Sequence, residues 1–316
     1  MTLPDSPPAR KSRRLGLSLP WTLALLLVVG WSVAWLTLRS RAVARMDAAA
    51  TQLRAQGYPV AWETRTVTGY PFRLNVTLTG ARLAEPSGWA IAMPLLKTEA
   101  WIYRLDHWIL VAPQGVTLTR PDGGPVNVRA GALRASLAGL GARPPRLSVE
   151  GVDLAFDTAA GAPAYMIQSA KRLELHLRPG PEDQGGVLFR VEGAKLRLQG
   201  LPARVAQDRP VSMSWDLVLS KMSAFNGSNW PNAVRSWRDA GGVLTVSGAE
   251  LRGGDALLTG QGGPLRVGLD GRLTGTLNAT LKDADGSEPG FGGPVDLKDG
   301  RARFGPLDLG PAPRLY

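Results

Sequence analysis

Two histidines, His107 and His176, are the only imidazole groups that this sequence offers for acid–base chemistry. His107 follows Asp106, and a histidine beside an aspartate can act as a general base with its orienting carboxylate. Both histidines lie in segments that alternate as strands do, however, and adjacent strand residues point to opposite faces of a sheet. We therefore expect surface or interface histidines and no catalytic pair.

The sequence contains no pattern typical of a metal, phosphate or nucleophile site. Cysteine is absent, which excludes disulfides, thiolate zinc ligands and cysteine catalysis. No HExxH, EF-hand or GxSxG motif occurs, and the glycines at 260, 262 and 263 lack the lysine of a P-loop. Asp283 and Asp285 are interpreted as part of a solvated hairpin loop, not as calcium ligands. We expect no enzyme activity, no catalytic residue, no cofactor and no metal.

The net charge of +11 is compatible with nucleic-acid binding, but more than half of it flanks one apolar segment. The first 45 residues contain seven basic side chains and a single acidic one, Asp5. Basic residues at the ends of an apolar stretch are typical of a membrane anchor. We therefore expect a membrane partner and no nucleic-acid partner.

Residues 15–38 form a run of 24 residues without a charge. A helix of roughly twenty apolar residues crosses the hydrocarbon layer of a membrane, and Trp21 and Trp35 lie near its ends, where such rings prefer the interface. The basic cluster before the run predicts a cytoplasmic tail over 1–14 and a translocated remainder. The alternative is a cleaved signal peptide, whose apolar region would be shorter and would end in small residues. We favour a retained single-pass anchor in the inner membrane.

Residues 39–57 are rich in alanine and arginine, which predicts a juxtamembrane helix. Gly57 is a natural C-cap, and the following Tyr58-Pro59 ends the helix. This helix either lifts the rest of the chain off the bilayer or packs against its first strands.

From residue 58 to 316 the apolar pattern changes to a period of two, which predicts a β-rich periplasmic domain. Leu74, Val76 and Leu78 alternate with polar residues, as do many later segments, and Asp-Gly and Gly-Pro turns separate them,. The pattern predicts a mainly β fold, with a long antiparallel sheet of roughly a dozen or more strands that curls or forms a groove. One short helix is expected to begin at Asn229-Trp230-Pro231 and to end at Gly241.

Several segments then occur in an order that resembles a known family. They are Gly69-Tyr70-Pro71-Phe72-Arg73-Leu74, Pro86-Ser87-Gly88-Trp89, Trp108 with Ala112-Pro113-Gln114-Gly115, Arg120-Pro121-Asp122-Gly123-Gly124-Pro125, Trp237-Arg238-Asp239-Ala240-Gly241-Gly242 and Gly305-Pro306-Leu307-Asp308-Leu309-Gly310. Together they resemble an alphaproteobacterial, membrane-anchored family catalogued as domain of unknown function number 2125. The resemblance implies a Gram-negative cell envelope and no assigned chemistry. The expected architecture is also similar to that of AsmA-like and lipopolysaccharide-transport proteins, which hold or pass lipid on a curled sheet.

Seven of the ten tryptophans lie outside the apolar segment, and they either line an apolar groove or fill an ordinary sheet core, for which Trp215 is a good candidate. The leading hypothesis is a non-enzymatic protein that binds or helps to transfer lipid-like molecules, with Tyr70, Phe72, Trp89 and Trp108 as ligand-binding residues. The alternative is a structural or scaffold protein of an envelope complex whose sheet interior is filled by its own side chains. An envelope hydrolase is a third hypothesis, for which no convergent polar site is found in the sequence.

Overall fold

The computed structural model describes residues 15–283 and 290–316, with side chains described from residue 19 onward. Over this part of the chain, one long helix precedes a single 18-stranded sheet that is accompanied by two short α-helices. The helices are α1 Leu15–Ala55, α2 Gly200–Ala206 and α3 Trp230–Asp239. The strands are β1 Val60–Ala61, β2 Thr64–Thr68, β3 Arg73–Ala84, β4 Ala90–Trp101, β5 Arg104–Val111, β6 Val116–Arg120, β7 Gly124–Arg129, β8 Ala132–Ala138, β9 Arg146–Thr158, β10 Ile167–Pro179, β11 Gly185–Leu196, β12 Val211–Leu219, β13 Leu244–Gly253, β14 Ala256–Val267, β15 Leu273–Asp283, β16 Phe291–Lys298, β17 Arg301–Phe304 and β18 Leu307–Pro311.

Helix α1 joins the apolar segment and the helix expected over 39–57 into 41 continuous residues. It ends as the sequence predicts, because Gly57 adopts a left-handed conformation with φ of +85°. The amide of Tyr58 donates to the carbonyl of Leu53 at 2.9 Å, and that of Gly57 donates to Arg54 at 3.0 Å. These two bonds form a Schellman motif, which satisfies carbonyl groups left open at the helix end. The expected cytoplasmic tail 1–14 lies outside the described residues.

The sheet is antiparallel throughout the described strands, which confirms the predicted fold class. Each strand from β8 to β17 pairs with the next one along the chain. Strands β4 and β9 are connected by two separate pairs of strands. At one end of β4 and β9 the connecting strands are β5 and β8, and at the other end they are β6 and β7. Consecutive pairing of this kind follows from the short turns that separate the alternating segments.

Irregularities in several strands bend this long sheet. Gly80 in β3 and Gly193 in β11 adopt φ of +57° and +56°, a conformation that few other residues tolerate,. The pairing of β11 with β12 shifts register after Val191, and bulges of this type increase local twist,.

One contact joins distant parts of the molecule, because the amide of Trp230 donates to the carboxylate of Glu85 in the β3–β4 turn.

Helix α3 begins and ends close to where the sequence predicts. The side chain of Asn229 accepts a hydrogen bond from the amide of Asn232 at 2.9 Å, and Pro231 occupies the first turn. Val234 and Trp237 are fully buried against strands of the second half of the sheet. The expectation of one short helix was incomplete, because α2 also forms. Val205 and Ala206 of α2 are buried on the sheet, so packing holds a seven-residue helix that contains a proline,.

Candidate functional site

One face of the sheet carries an unbroken line of apolar residues, which we call the middle row. Directly paired residues of antiparallel strands point to the same face, so the strand register alone defines this line. The middle row crosses β5, β8 and then β9 to β15 in order. Its residues are Leu110, Ala135, Val149, Leu175, Phe189, Trp215, Ala249, Gly260 and Ala279. Nine strands at their usual spacing give a line about 38 Å long.

The middle row is apolar but not buried. Each of its residues retains some solvent exposure, and Trp215 is 39% exposed while its ring packs 5.8 Å from that of Phe189. Ordinary core residues of a sheet this large become almost completely inaccessible. This line of partly exposed residues is therefore the candidate floor of an open groove.

A cavity of about 440 Å³ lies over the second half of the middle row. Its floor includes Trp215, Ala249, Gly260 and Ala279, and its walls include α2 residues Leu201 and Pro202 with Phe304 and Leu307 of the last strands. Small residues on the floor leave the space that large side chains would otherwise fill. Both the volume and the apolar lining are typical of a small-molecule or lipid site.

Helices α2 and α3 cover the sheet on either side of this cavity. Val205 and Ala206 of α2 pack with Val191 and Met213, which are 0% and 5% exposed. Trp237 of α3 packs in the second cluster, and its indole nitrogen donates to the carbonyl of Ser220 at 2.6 Å. The strands next to the groove therefore have a packed core, whereas the cavity between the helices is open.

The opposite face of the same strands is polar. His107 and His176 line a single pocket of about 400 Å³ on that face, although they lie 69 positions apart in the sequence. His107 contacts the hydroxyl of Ser136 at 2.9 Å, and His176 contacts that of Ser148 at 3.0 Å. Each histidine thus has a hydroxyl partner, and Nε2 of His176 also lies 4.0 Å from the carboxylate of Glu174. Asp106 lies on the opposite face from His107, as the alternation predicts.

Ion pairs fill the rest of this polar pocket. Glu150 pairs with Arg134 and with Arg172, the latter at 2.5 Å, and Glu174 pairs with Arg172 at 2.7 Å. The hydrogen bond from Arg134 lowers the pKa of the Glu150 carboxyl, against an opposing effect of desolvation,. Among residues 15–283 and 290–316, no group of three or more histidine and carboxylate side chains is placed to hold a metal ion. The Asp285 turn lies outside this part of the chain.

The structure separates the four residues that the sequence predicts as ligand-binding. Tyr70 and Phe72 lie together in the β2–β3 connection, beside α1. Trp89 directly precedes β4 in the β3–β4 turn, and Trp108 lies on β5. Trp108 lines a smaller apolar pocket of about 230 Å³ with Met46 of α1.

The sequence-based prediction did not identify the middle row, because the residues of this row are mostly aliphatic or small. The predicted ligand-binding residues are all large aromatic rings. Trp215 was a candidate for the core alternative, and in the structure its side chain is 39% exposed on the apolar face. The strand alternation placed it on the apolar face correctly. Only the register with Ala249 and Gly260 reveals that small residues lie beside it.

A family model described as "Uncharacterized protein conserved in bacteria (DUF2125)" matches residues 35–287. The chain belongs to this family. The matched region begins within α1 at Trp35 and includes the whole middle row. The resemblance drawn from the ordered segments is therefore confirmed at the level of the family. No curated protein and no solved structure matches the chain.

Helix α1 is long and apolar enough to cross a membrane, a property that a signal sequence near an N-terminus shares. Here the second half of the helix is joined to the β-strands. The indole nitrogen of Trp35 donates to the carbonyl of Arg73 at 3.0 Å, and Trp35 is 7% exposed. Farther along the helix, Asp47 pairs with Arg65 of β2 at 2.7 Å. This part of α1, which was expected as a juxtamembrane helix, thus packs against the first strands, one of the two expected arrangements.

Proposed function

We propose that this protein binds lipid-like molecules, or helps to transfer them, along the middle row of its sheet. The single observation that carries this proposal is an apolar line across nine strands that remains unburied and opens into a cavity of about 440 Å³. Each buried methylene contributes about 0.8 kcal/mol. An acyl segment of about ten methylenes would therefore gain roughly 8 kcal/mol before the entropic cost of binding. Such binding requires no covalent chemistry, so the proposed activity is not enzymatic.

The proposed location is the inner membrane of a Gram-negative envelope, with a single span over 15–38, a juxtamembrane helix over 39–57 and a periplasmic β domain over 58–316. The basic cluster before the span supports this orientation,. Retention of the span is supported by Trp35, because a cleaved segment would leave the carbonyl of Arg73 without its indole donor,.

Native mass spectrometry of the detergent-purified full chain tests the groove. We expect the wild-type protein to retain acyl-lipid masses from a Gram-negative expression host. Ala279→Glu should lose most of this lipid, because a carboxylate on an apolar floor costs several kcal/mol to desolvate. Asn278→Glu is the matched control, since Asn278 is the exposed neighbour of Ala279 on the opposite face,.

Two results would contradict the proposal. Lipid-free wild-type protein would favour the scaffold alternative, in which a protein partner covers the apolar face. Equal lipid retention by the Ala279→Glu and Asn278→Glu variants would place the bound lipid somewhere other than the groove. Circular dichroism of both variants verifies that the sheet is intact.

A further inference from the structure

Four exposed aromatic side chains form a cluster at one end of the first strands, which we call the aromatic tip. It consists of Tyr70, Phe72, Trp101 and Tyr103, which are 50%, 55%, 41% and 68% exposed. Trp101 stacks on Tyr103 with 5.4 Å between ring centroids. The β2–β3 connection and the β4–β5 turn are held side by side, because the amide of Ile102 donates to the carbonyl of Phe72 at 3.1 Å.

The aromatic tip is fixed against one level of helix α1. The indole nitrogen of Trp31 donates to the carbonyl of Pro71 at 2.9 Å, and the hydroxyls of Ser32 and Tyr70 are 2.9 Å apart. The ring of Trp31 also lies 6.0 Å from that of Phe72. These contacts set the height of the tip at the helix turn that contains residues 31 to 35.

This helix turn lies near the outer end of the proposed span. The uncharged run begins at Leu15, directly after the basic cluster. A hydrocarbon layer of about 30 Å takes about twenty helical residues, so a span that begins at Leu15 reaches the far interface near residue 34. Tryptophan and tyrosine rings prefer that interface. A cluster of exposed aromatic rings in water would be unfavourable.

We propose that the aromatic tip inserts into the lipid interface of the outer leaflet and seats the β domain on the membrane. Arg73 and Arg104 flank the rings, with the guanidinium of Arg73 4.4 Å from the ring centroid of Trp101. Arg73 also pairs with Glu99 at 3.2 Å, so Arg104 is the guanidinium that this seating offers to lipid phosphates. Leu74 follows Arg73 directly on β3 and Val76 shares its face, so in this seating the apolar face of the sheet begins at the membrane surface.

The inference rests on the membrane anchor of the proposed function but not on lipid binding in the groove. The absence of cysteine allows one labelled site at a time. Tyr103→Cys carries an environment-sensitive nitrobenzoxadiazole label at the tip. Trp89→Cys carries the same label at the opposite end of β4, where Trp89 is 38% exposed. Both full-length variants are reconstituted into nanodiscs of phosphatidylethanolamine and phosphatidylglycerol, with or without headgroup nitroxide lipid.

We expect the label on Tyr103→Cys to emit at shorter wavelength and to lose most of its intensity when nitroxide lipid is present, while Trp89→Cys keeps its intensity. Phe72→Cys, on the neighbouring connection, should behave like Tyr103→Cys. If both tip labels emit and quench as Trp89→Cys does, the inference is wrong. Failure of the full chain to incorporate into nanodiscs would overturn the anchor and the inference together. If the tip labels are quenched but the Ala279→Glu variant retains its lipid, the proposal of lipid binding in the groove is wrong. The inference about the aromatic tip then still holds.

Discussion

Two stretches of the same apolar face differ in what covers them. On β3, Leu74, Val76 and Leu78 are 1%, 2% and 8% exposed, because Val43 and Met46 of α1 belong to the cluster that packs on them. In the middle row, the equally apolar Leu175 remains partly accessible. Alternation thus decides which face of a strand is apolar, and a covering element decides whether that face becomes core or groove.

The largest expected effect is on stability in the covered stretch. Leu74→Ala should lower the free energy of unfolding by about 2–5 kcal/mol, because it removes a buried side chain and leaves a cavity. Leu175→Ala, the same change in the open row, should cost only about 1–2 kcal/mol. Denaturant unfolding of the two full-length variants in one detergent measures both values. Equal losses would mean that the middle row is as well packed as β3.

The next largest expected effect on stability is at the contact between α1 and the sheet. Trp35→Phe removes the donor to the carbonyl of Arg73 and should lower the free energy of unfolding by roughly 1 kcal/mol. Trp21→Phe is the matched change on the same helix, where Trp21 is 78% exposed, and it should leave stability unchanged. Unfolding of the β domain, followed by circular dichroism, distinguishes them. An equal response to both changes would show that the helix and the sheet are energetically independent.

An uncharged side chain that fills the groove should reduce the bound lipid without a large change in stability. A Cβ atom added at Gly260 would meet Ala249 at an ordinary contact distance of 3.7 Å, so Gly260→Leu should extend its remaining carbons into the cavity above the floor. We expect retained lipid to fall severalfold while stability changes by less than about 0.5 kcal/mol. Gly248→Leu is the control, because Gly248 pairs with Asp216 on the polar face and has open space around it. Native mass spectrometry measures the lipid. A loss of lipid that is equal in both variants would contradict a groove on the apolar face.

The smallest expected effect is a pH dependence in the covered stretch. The hydrogen bond from Arg65 lowers the pKa of the Asp47 carboxyl below its usual value of 3.8. A depressed carboxyl pKa stabilises the fold above the unfolded value, and this contribution is lost as pH falls through the folded value. Wild-type stability should therefore decline slightly below about pH 4. Asp47→Asn should remove the Asp47 part of this decline and lower stability slightly at neutral pH, which thermal unfolding across a pH series measures. An unaltered pH profile in this variant would show that the ion pair contributes nothing.

Local sequence signals were sufficient for much of the fold. Gly57 predicted the end of α1, Asn229 and Pro231 predicted the start of α3, and alternation predicted the strands, because each signal acts through nearby backbone or face geometry. Helix α2 was missed, since a seven-residue segment with a proline has little intrinsic helix propensity and forms through packing of Val205 and Ala206,.

The candidate site was harder to predict because it depends on the strand register and on which elements cover the apolar face of the sheet. Ala249 and Gly260 are unremarkable residues in sequence, and only pairing across the sheet places them beside Trp215. Tyr70 and Phe72 were predicted as ligand-binding residues, and the structure places them as exposed rings in the β2–β3 connection. Their position beside Trp31 depends on a contact about 40 residues away in sequence, which no local pattern encodes.

Photo-crosslinking in living Gram-negative cells tests most directly whether the middle row holds lipid. Benzoylphenylalanine is introduced at Leu175 on the apolar face and, separately, at its neighbour Glu174 on the polar face. After irradiation, the purified chain should carry lipid-mass adducts at Leu175 and none at Glu174. Protein adducts at Leu175, or no lipid adduct at either position, would contradict the proposed groove.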